Sequence, residues 1–195
     1  MNEIIRIIME RRAIRHYKAE QIKDEELKQI IEAGLWAPSA GGRQATKFLI
    51  CQNSEINEKI SRINRSFMPS PNKVNDHNVN EKQISIAEDA TIQNAFYGAP
   101  TVITVFAADQ FKYPINDASV AAENMMLAAW SLGIGSAYIG RVEETFKTEE
   151  EKNLMENNGI DSTYTARVCV CLGYPDGEIG KGKTRKEDRI YFIKD

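Results

Sequence analysis

A chain of 195 residues with a formal net charge of −3 has the length of one ordinary domain, or of one half of a fold shared by two copies. Its mild acidity, with a sequence pI near 5.6, provides no global attraction to nucleic acid or to an anionic membrane. Cys51, Cys169 and Cys171 sit in apolar strand-like runs; the odd count, with charges throughout Met1–Arg15, points to a reducing cytoplasm, and Cys169-x-Cys171 lacks the further Cys/His cluster of a zinc site.

In chain order, Asn2–Arg12 reads as a helix with Ile4, Ile5, Ile7 and Ile8 on its apolar side, and it runs out into the basic turn RRAIRHY. Asp24 caps a second helix, stopped at Pro38. Pro38–Thr46 is a loop of small and polar residues, Lys47–Gln52 a strand, and Ser54 the cap of a helix reaching Asn64. Residues 65–88 carry many Asn, Ser and Pro and no clear period, which suggests a lid or mobile excursion. Thr101–Ala108 is continuously apolar and β-branched, as a buried strand would be. Asp117–Gly135 follows as a helix of about five turns, apolar nearly all round and therefore central, packed by several elements or by a second subunit. Ser136–Gly140 is a short strand, Glu144–Asn158 a polar helix closed by Gly159, and Thr163–Leu172 a strand. A basic, turn-rich arm, Gly173–Arg189, leads to a last strand, Ile190–Ile193. Mixed strands and helices around one sheet place the chain in the α/β or α+β class.

Gly177–Thr184, GEIGKGKT, satisfies the spacing of a phosphate-binding loop. Such a loop must join a strand directly to a helix whose N-terminus faces the phosphate. Here GYPD intervenes after the strand, and RKEDRIYFIKD leaves too little chain for the helix and return strand, so a nucleoside triphosphatase is disfavoured. Two basic clusters, Arg11-Arg12-x-x-Arg15 and Lys183-x-Arg185, each lie beside an element end. Either alone would read as solvated charge; together they can converge on a phosphate, with Arg as a planar fork and Lys as a mobile point charge. In Pro38–Gln44, Ser39 and Gly41-Gly42 would let a flat ligand approach the backbone, although an ordinary turn accounts for the same residues. His16 and His77 have no nucleophile or carboxylate at a diagnostic spacing, and a G-x-G-x-x-G loop is absent.

Taken together these stretches resemble the FMN-dependent nitroreductase family. RRAIRHY is similar to R-[RH]-S-x-[RK]-x-[FY], and APSAGGRQATKF to A-P-S-x-x-N-x-Q-P-W-x-F. GAPTVITVFA, the 117–135 helix with its LGIGSAYIG exit, and CLGYP before Lys183-x-Arg185 fall in the family's order, so the resemblance covers the whole chain. It implies a single domain over residues 1–195, an α+β fold with a central mixed or antiparallel sheet flanked by helices, and an intertwined homodimer exchanging its C-terminal strands. Two FMN molecules would lie at the interface.

Carried over by position, the cofactor-binding set is Arg11, Arg12, Arg15, Pro38, Ser39, Ala40, Gly42, Gln44, Ile139, Gly140, Lys183 and Arg185. Arg11, Lys183 and Arg185 would serve the phosphate and Arg15 the pyrimidine edge. Pro38, Ser39, Ala40 and Gly42 would come from the other subunit, and the Ile139 and Gly140 backbone would lie near the ring's N5. The implied activity takes electrons from NADH or NADPH to an electron-poor small acceptor such as a nitroaromatic or quinone by a ping-pong cycle. No metal, nucleic acid or membrane is involved. Three departures bear on the pocket: Ala13 stands where Ser is usual, Gly42 where Asn is common, and Ala45-Thr46 where the pattern has Pro-Trp. Other chemistry on the same fold (a dehalogenase, an enone reductase, a flavin-cleaving enzyme) and a non-catalytic flavin-binding module are the alternatives.

Overall fold

Six apolar residues and two threonines, Thr101–Ala108, build the strand on which the molecule is assembled, and every one of them is buried. In the computed structural model, which describes residues 1–67 and 94–194, this strand, β2, pairs on both sides. With β1 (Thr46–Cys51), β3 (Gly135–Ile139) and β4 (Tyr164–Gly173) it forms a sheet of order β1-β2-β4-β3. All three strand pairings are antiparallel, so among the described residues the four-stranded sheet is antiparallel. Between Val105 and Phe106 the register slips: Val105 faces Val168 but Phe106 faces Ala166. Arg167 is the bulged residue, and the bulge turns it toward Asp109 and Glu143.

Both faces of this sheet are covered, which explains a strand without alternation. On one face, Ile103, Val105, Val168 and Val170 pack against α4 (Pro114–Ser131) and α2 (Asp24–Leu35). On the other, Val102, Phe106, Cys169 and Cys171 meet α3 (Ser54–Ser66), α5 (Glu149–Asn157) and the 95–99 turn. Asn124 Nδ2 donates to the Ala33 carbonyl at 3.0 Å, and a Cβ at Gly34 would collide with Met125, so α2 and α4 cross at close range.

The helix limits follow their capping chemistry. α4 begins at Pro114, three residues before the expected Asp117, because proline suits the first helical position. It ends in a Schellman motif: Gly133 at φ 75°, Ile134 N–H to the Ala129 carbonyl at 2.8 Å, Gly133 N–H to the Trp130 carbonyl at 3.1 Å. Asn53 rather than Ser54 caps α3, accepting from Ile56 N–H at 3.0 Å. Lys23 occupies the N-cap of α2, where Glu26 reaches back to its N–H, so Asp24 is the first helical residue.

Three expectations need correction. The helix expected over 144–158 is broken: a 3-10 turn, Thr145–Lys147, is separated from α5 by extended Thr148, because Thr145 and Phe146 are drawn into the core. Of the 65–88 excursion, Arg65 and Ser66 finish α3, and from residue 68 onward it lies outside the described residues. Ile190–Ile193 forms no strand in the single chain, and its side chains are 76–103% exposed. α1 (Glu3–Glu10) is amphipathic as expected, yet it buries no residue, and Ile4, Ile5, Ile8 and Met9 remain exposed. Among the described residues no helix is long and apolar enough to cross a membrane.

Candidate functional site

Two distant stretches of sequence are laid side by side by backbone bridges. Ile14 N–H donates to the Ser136 carbonyl at 2.9 Å, which docks the basic turn on β3 in parallel register at Ala13. Lys18 N–H donates to the Tyr174 carbonyl at 2.9 Å, and Asp176 N–H to the His16 carbonyl at 3.0 Å, so the same turn also holds the start of the C-terminal arm. Two glycines permit these approaches. A Cβ at Gly135 would come within 2.8 Å of Ile14 Cβ, and one at Gly173 within 2.8 Å of Pro100 Cδ and 2.9 Å of Tyr17 Cδ1. Tyr17 adds a 2.6 Å hydrogen bond to the Ile14 carbonyl. Burial, chiefly, pushes its phenol far above the ordinary range, so it stays a neutral donor.

The result is an open cleft of about 440 Å³ between residues 12–16 and 175–183. Arg12, Arg15, Lys181 and Lys183 line it, against the carboxylates of Asp176 and Glu178. The structure thus brings Arg15 and Lys183 together, as expected, and adds Lys181. That lysine belongs to the glycine–lysine run that resembles a phosphate loop; the run is not such a loop, because no helix follows it, but it does face the cationic cleft. The Arg15 guanidinium lies 5.7 Å from the Tyr97 ring centre, a partner that no motif indicates. Arg11 is held 3.8 Å from Glu123 of α4, and its Nε is buried without a hydrogen-bond partner.

Arg12 is placed differently from the expectation. Its Nη1 donates to the Met9 and Arg11 carbonyls at 2.8 and 2.7 Å, and a Cβ at Gly182 would strike its guanidinium. It closes α1 and clamps the arm that carries Lys183. Arg185 is exposed, does not line the cleft, and among the described residues contacts the Lys183 carbonyl at 3.5 Å.

Pro38, Ser39 and Gln44 line a separate cavity of about 320 Å³ with Trp36, Asp117 and Ala121, and none of them reaches the cationic cleft. The loop is firmly shaped. Ala40 N–H donates to Asp117 Oδ1 at 3.0 Å and Gln44 N–H to Ser39 Oγ at 2.9 Å, while Gly41, Gly42 and Gln44 are left-handed at φ 64°, 65° and 51°. A side chain at Gly42 would meet open space. Ile139, almost wholly buried, ends β3 some three residues beyond the docked turn, about 10 Å along the strand, and exposed Gly140 follows it. One chain therefore carries every piece but joins only the basic turn to the arm.

The cysteines take no part in this region. Burial pushes the Cys169 thiol up to about 12 and that of Cys171 well above its usual range, and the Cys51 thiol is raised too. Protonated thiols of this kind are packing groups rather than nucleophiles.

A family model for the nitroreductase family matches residues 8–174. A protein of Archaeoglobus fulgidus, provisionally named NADH dehydrogenase/NAD(P)H nitroreductase, is 32% identical over 183 residues, which cover 91% of this chain and 88% of that one. The NADPH-flavin oxidoreductase of Vibrio harveyi is 28% identical over 179 residues, 90% of this chain and 67% of its own. Among solved structures, a nitroreductase of Bacteroides fragilis with bound FMN superposes over the whole of both chains with a TM-score of 0.80 at 28% identity. The match to the family model over most of the chain, with a relative above 30% identity along nearly its full length, leads to one conclusion: this chain belongs to the nitroreductase family.

Proposed function

We propose that the protein is an FMN-dependent oxidoreductase that takes electrons from NADH or NADPH and delivers them to an electron-poor small acceptor, such as a nitroaromatic or a quinone. The observation that carries the reading is the cleft in which Arg15, Lys181 and Lys183 converge from opposite ends of the chain. The residues present suit the cofactor: guanidinium and ammonium donors match a phosphate, the buried Arg11 Nε, paired with Glu123 at 3.8 Å, keeps its hydrogen-bonding capacity unused, and Gly42 leaves room beside its backbone.

Bound FMN supplies hydride and single-electron chemistry at its ring. The chain supplies binding and electrostatics. Arg11, Lys181 and Lys183 would hold the phosphate, with Arg12 fixing the arm on which the two lysines ride. Arg15 would offset negative charge gained by the pyrimidine edge. The Ile139–Gly140 backbone would carry the N5 edge, and the Pro38–Gly42 loop of a partner subunit would close the other side. If both substrates used the same cleft, the dinucleotide would have to leave before the acceptor enters, which is a ping-pong cycle.

A homodimer is part of this reading, with one domain per chain. The uncovered apolar side of α1 and the exposed Ile190–Ile193 segment supply surface for a partner, whose sheet ends on strand β1 at one edge. Obligate interfaces of that kind bury on the order of 2,000 Å² or more. Unpaired cysteines support a cytoplasmic setting.

The test is the visible spectrum of the freshly purified protein and chromatography of the flavin released by heat. FMN is expected; a protein that neither holds nor takes up FMN refutes the proposal. Arg15→Ala then probes the assignment within the site: the bound flavin should become harder to reduce in a redox titration at saturating FMN, with slower reduction by NAD(P)H in stopped flow. An unchanged potential would remove Arg15 from the ring.

A further inference from the structure

Just past β3 the backbone takes a turn that glycine makes freely and other residues resist. Gly140 is available, but the left-handed position is the next one, Arg141, at φ 55°. The surrounding chain holds it there. Val142, the following residue, is fully buried. The Arg141 carbonyl accepts a 3.0 Å hydrogen bond from Asn64 Nδ2, and that buried amide also reaches Thr145 Oγ1 at 3.0 Å. The end of α3 and the 145–147 turn thus clamp the backbone of a residue whose side chain stays exposed.

The fold does not use its charge. The nearest acid along the chain, Glu143, is shared by Arg167 at 2.9 Å and Lys147 at 3.1 Å. Among the described residues the Arg141 guanidinium makes no hydrogen bond or ion pair. A strained position kept by a bulky, charged and unpartnered side chain points to a use outside the fold. Its neighbourhood indicates the use, since Arg141 directly follows the Ile139–Gly140 backbone that the proposed reading places at the reacting edge. A guanidinium there offers a planar fork to an oxyanion, on the substrate side rather than the phosphate side of the site.

We infer that Arg141 is a specificity-determining residue that recruits substrates bearing an oxyanion. The anion is a carboxylate on an aromatic acceptor or a phosphate of the nicotinamide dinucleotide. The inference rests on the flavoenzyme reading above and adds the substrate class to it.

The test uses FMN-loaded wild type, R141Q, R141K and R141G. Benzoate and benzamide, alike in shape and different in charge, are titrated against the oxidised protein and followed by the perturbation of its flavin absorbance. In parallel, kcat/KM is measured for NADH and NADPH. The benzoate-over-benzamide preference, or the kcat/KM for the dinucleotides, should fall about ten-fold in R141Q and R141G, the size of one charge-assisted contact. It should largely persist in R141K and shrink with added salt. Loss with benzoate places the anion on the acceptor, and loss with the dinucleotides places it on their phosphates. R141G separates charge from folding, because glycine suits the left-handed backbone: its thermal midpoint should hold or rise while the anion preference disappears. If R141Q retains FMN but changes neither the benzoate preference nor the dinucleotide kinetics, the inference is overturned and the flavoenzyme reading stands. If no variant, wild type included, takes up FMN, both fall.

Discussion

Arg12 and Gly182 meet so closely that a methyl group at 182 would displace the guanidinium from the two carbonyls it caps. Gly182→Ala should therefore loosen the arm while leaving every charged side chain of the cleft in the sequence. Overpacking of this size costs about 1–3 kcal/mol, so FMN affinity should drop by roughly five-fold up to about 150-fold in a fluorescence titration, with faster proteolytic nicking of the arm. A second pair sets a pH dependence. Tyr174 Oη donates to Glu26 Oε2 at 2.6 Å, and this bond, more than the Lys23 N–H on the same oxygen, holds the Glu26 carboxyl below its ordinary value of 4.5, against some opposing burial. A depressed carboxylate contributes stability that is full above the unfolded pKa and lost as pH falls through the folded one. Tyr174→Phe should accordingly be less stable than wild type at pH 7. The gap should narrow as pH falls below the ordinary carboxylate range and close once Glu26 is protonated in the folded wild type as well, as denaturant curves across pH would reveal. Residue roles of this kind were only partly legible in the sequence. Arg15 and Lys183 stood in spaced basic clusters and do converge. Arg12 stood in the same cluster and turned inward, because the end of a helix offered it carbonyls nearby. Tyr97 and Glu123 carried no local signal, since each meets its arginine only through the fold.

Among the elements, the docked turn at residues 13–18 depends on a single close approach. Gly135 lies against Ile14 with no space for a side chain, and Ile14 is the apolar anchor that seats the basic turn on β3. Gly135→Ala should cost about 1–3 kcal/mol by thermal or denaturant unfolding, and should weaken FMN binding as well, since Arg11 and Arg15 flank the anchor. Stability lost with unaltered cofactor affinity would mean that the turn is not what positions those arginines. Sequence periodicity located β2, α2, α4 and β4 because burial on both faces or on one stripe leaves a regular pattern. It joined Thr145–Lys147 to α5 because charge composition there favours helix, while the decisive fact, burial of Thr145 and Phe146 under α3 and β4, is tertiary. The separate bridge at Tyr17 and Pro175 had no pattern at all.

At the scale of the molecule, the apolar inventory is unbalanced. Ile4, Ile5, Ile8 and Met9 on one helix and Ile190, Tyr191, Phe192 and Ile193 at the other end of the chain face solvent together with Leu35 and Trp36. Exposed apolar surface on that scale marks an interface. If the proposed homodimer exchanges this segment, removing residues 190–195 should lower the stability of the assembly or yield a monomer in light scattering, with FMN lost alongside. A truncated chain that remains dimeric and yellow would show that the segment is not an exchanged strand.

The separation of the cationic cleft from the Pro38–Gln44 loop has a genetic consequence. If each site takes its cleft from one subunit and its loop from the other, two inactive chains can rescue each other. A copy damaged only at Arg15 and Lys183 and a copy damaged only in the loop would assemble, in the mixed dimer, one site with both injuries and one with neither. Co-expressed in equal amounts, the two should regain about a quarter of wild-type turnover, because half of the dimers would be mixed and each would hold one intact site of two. Chains whose sites were built within a single subunit would regain none.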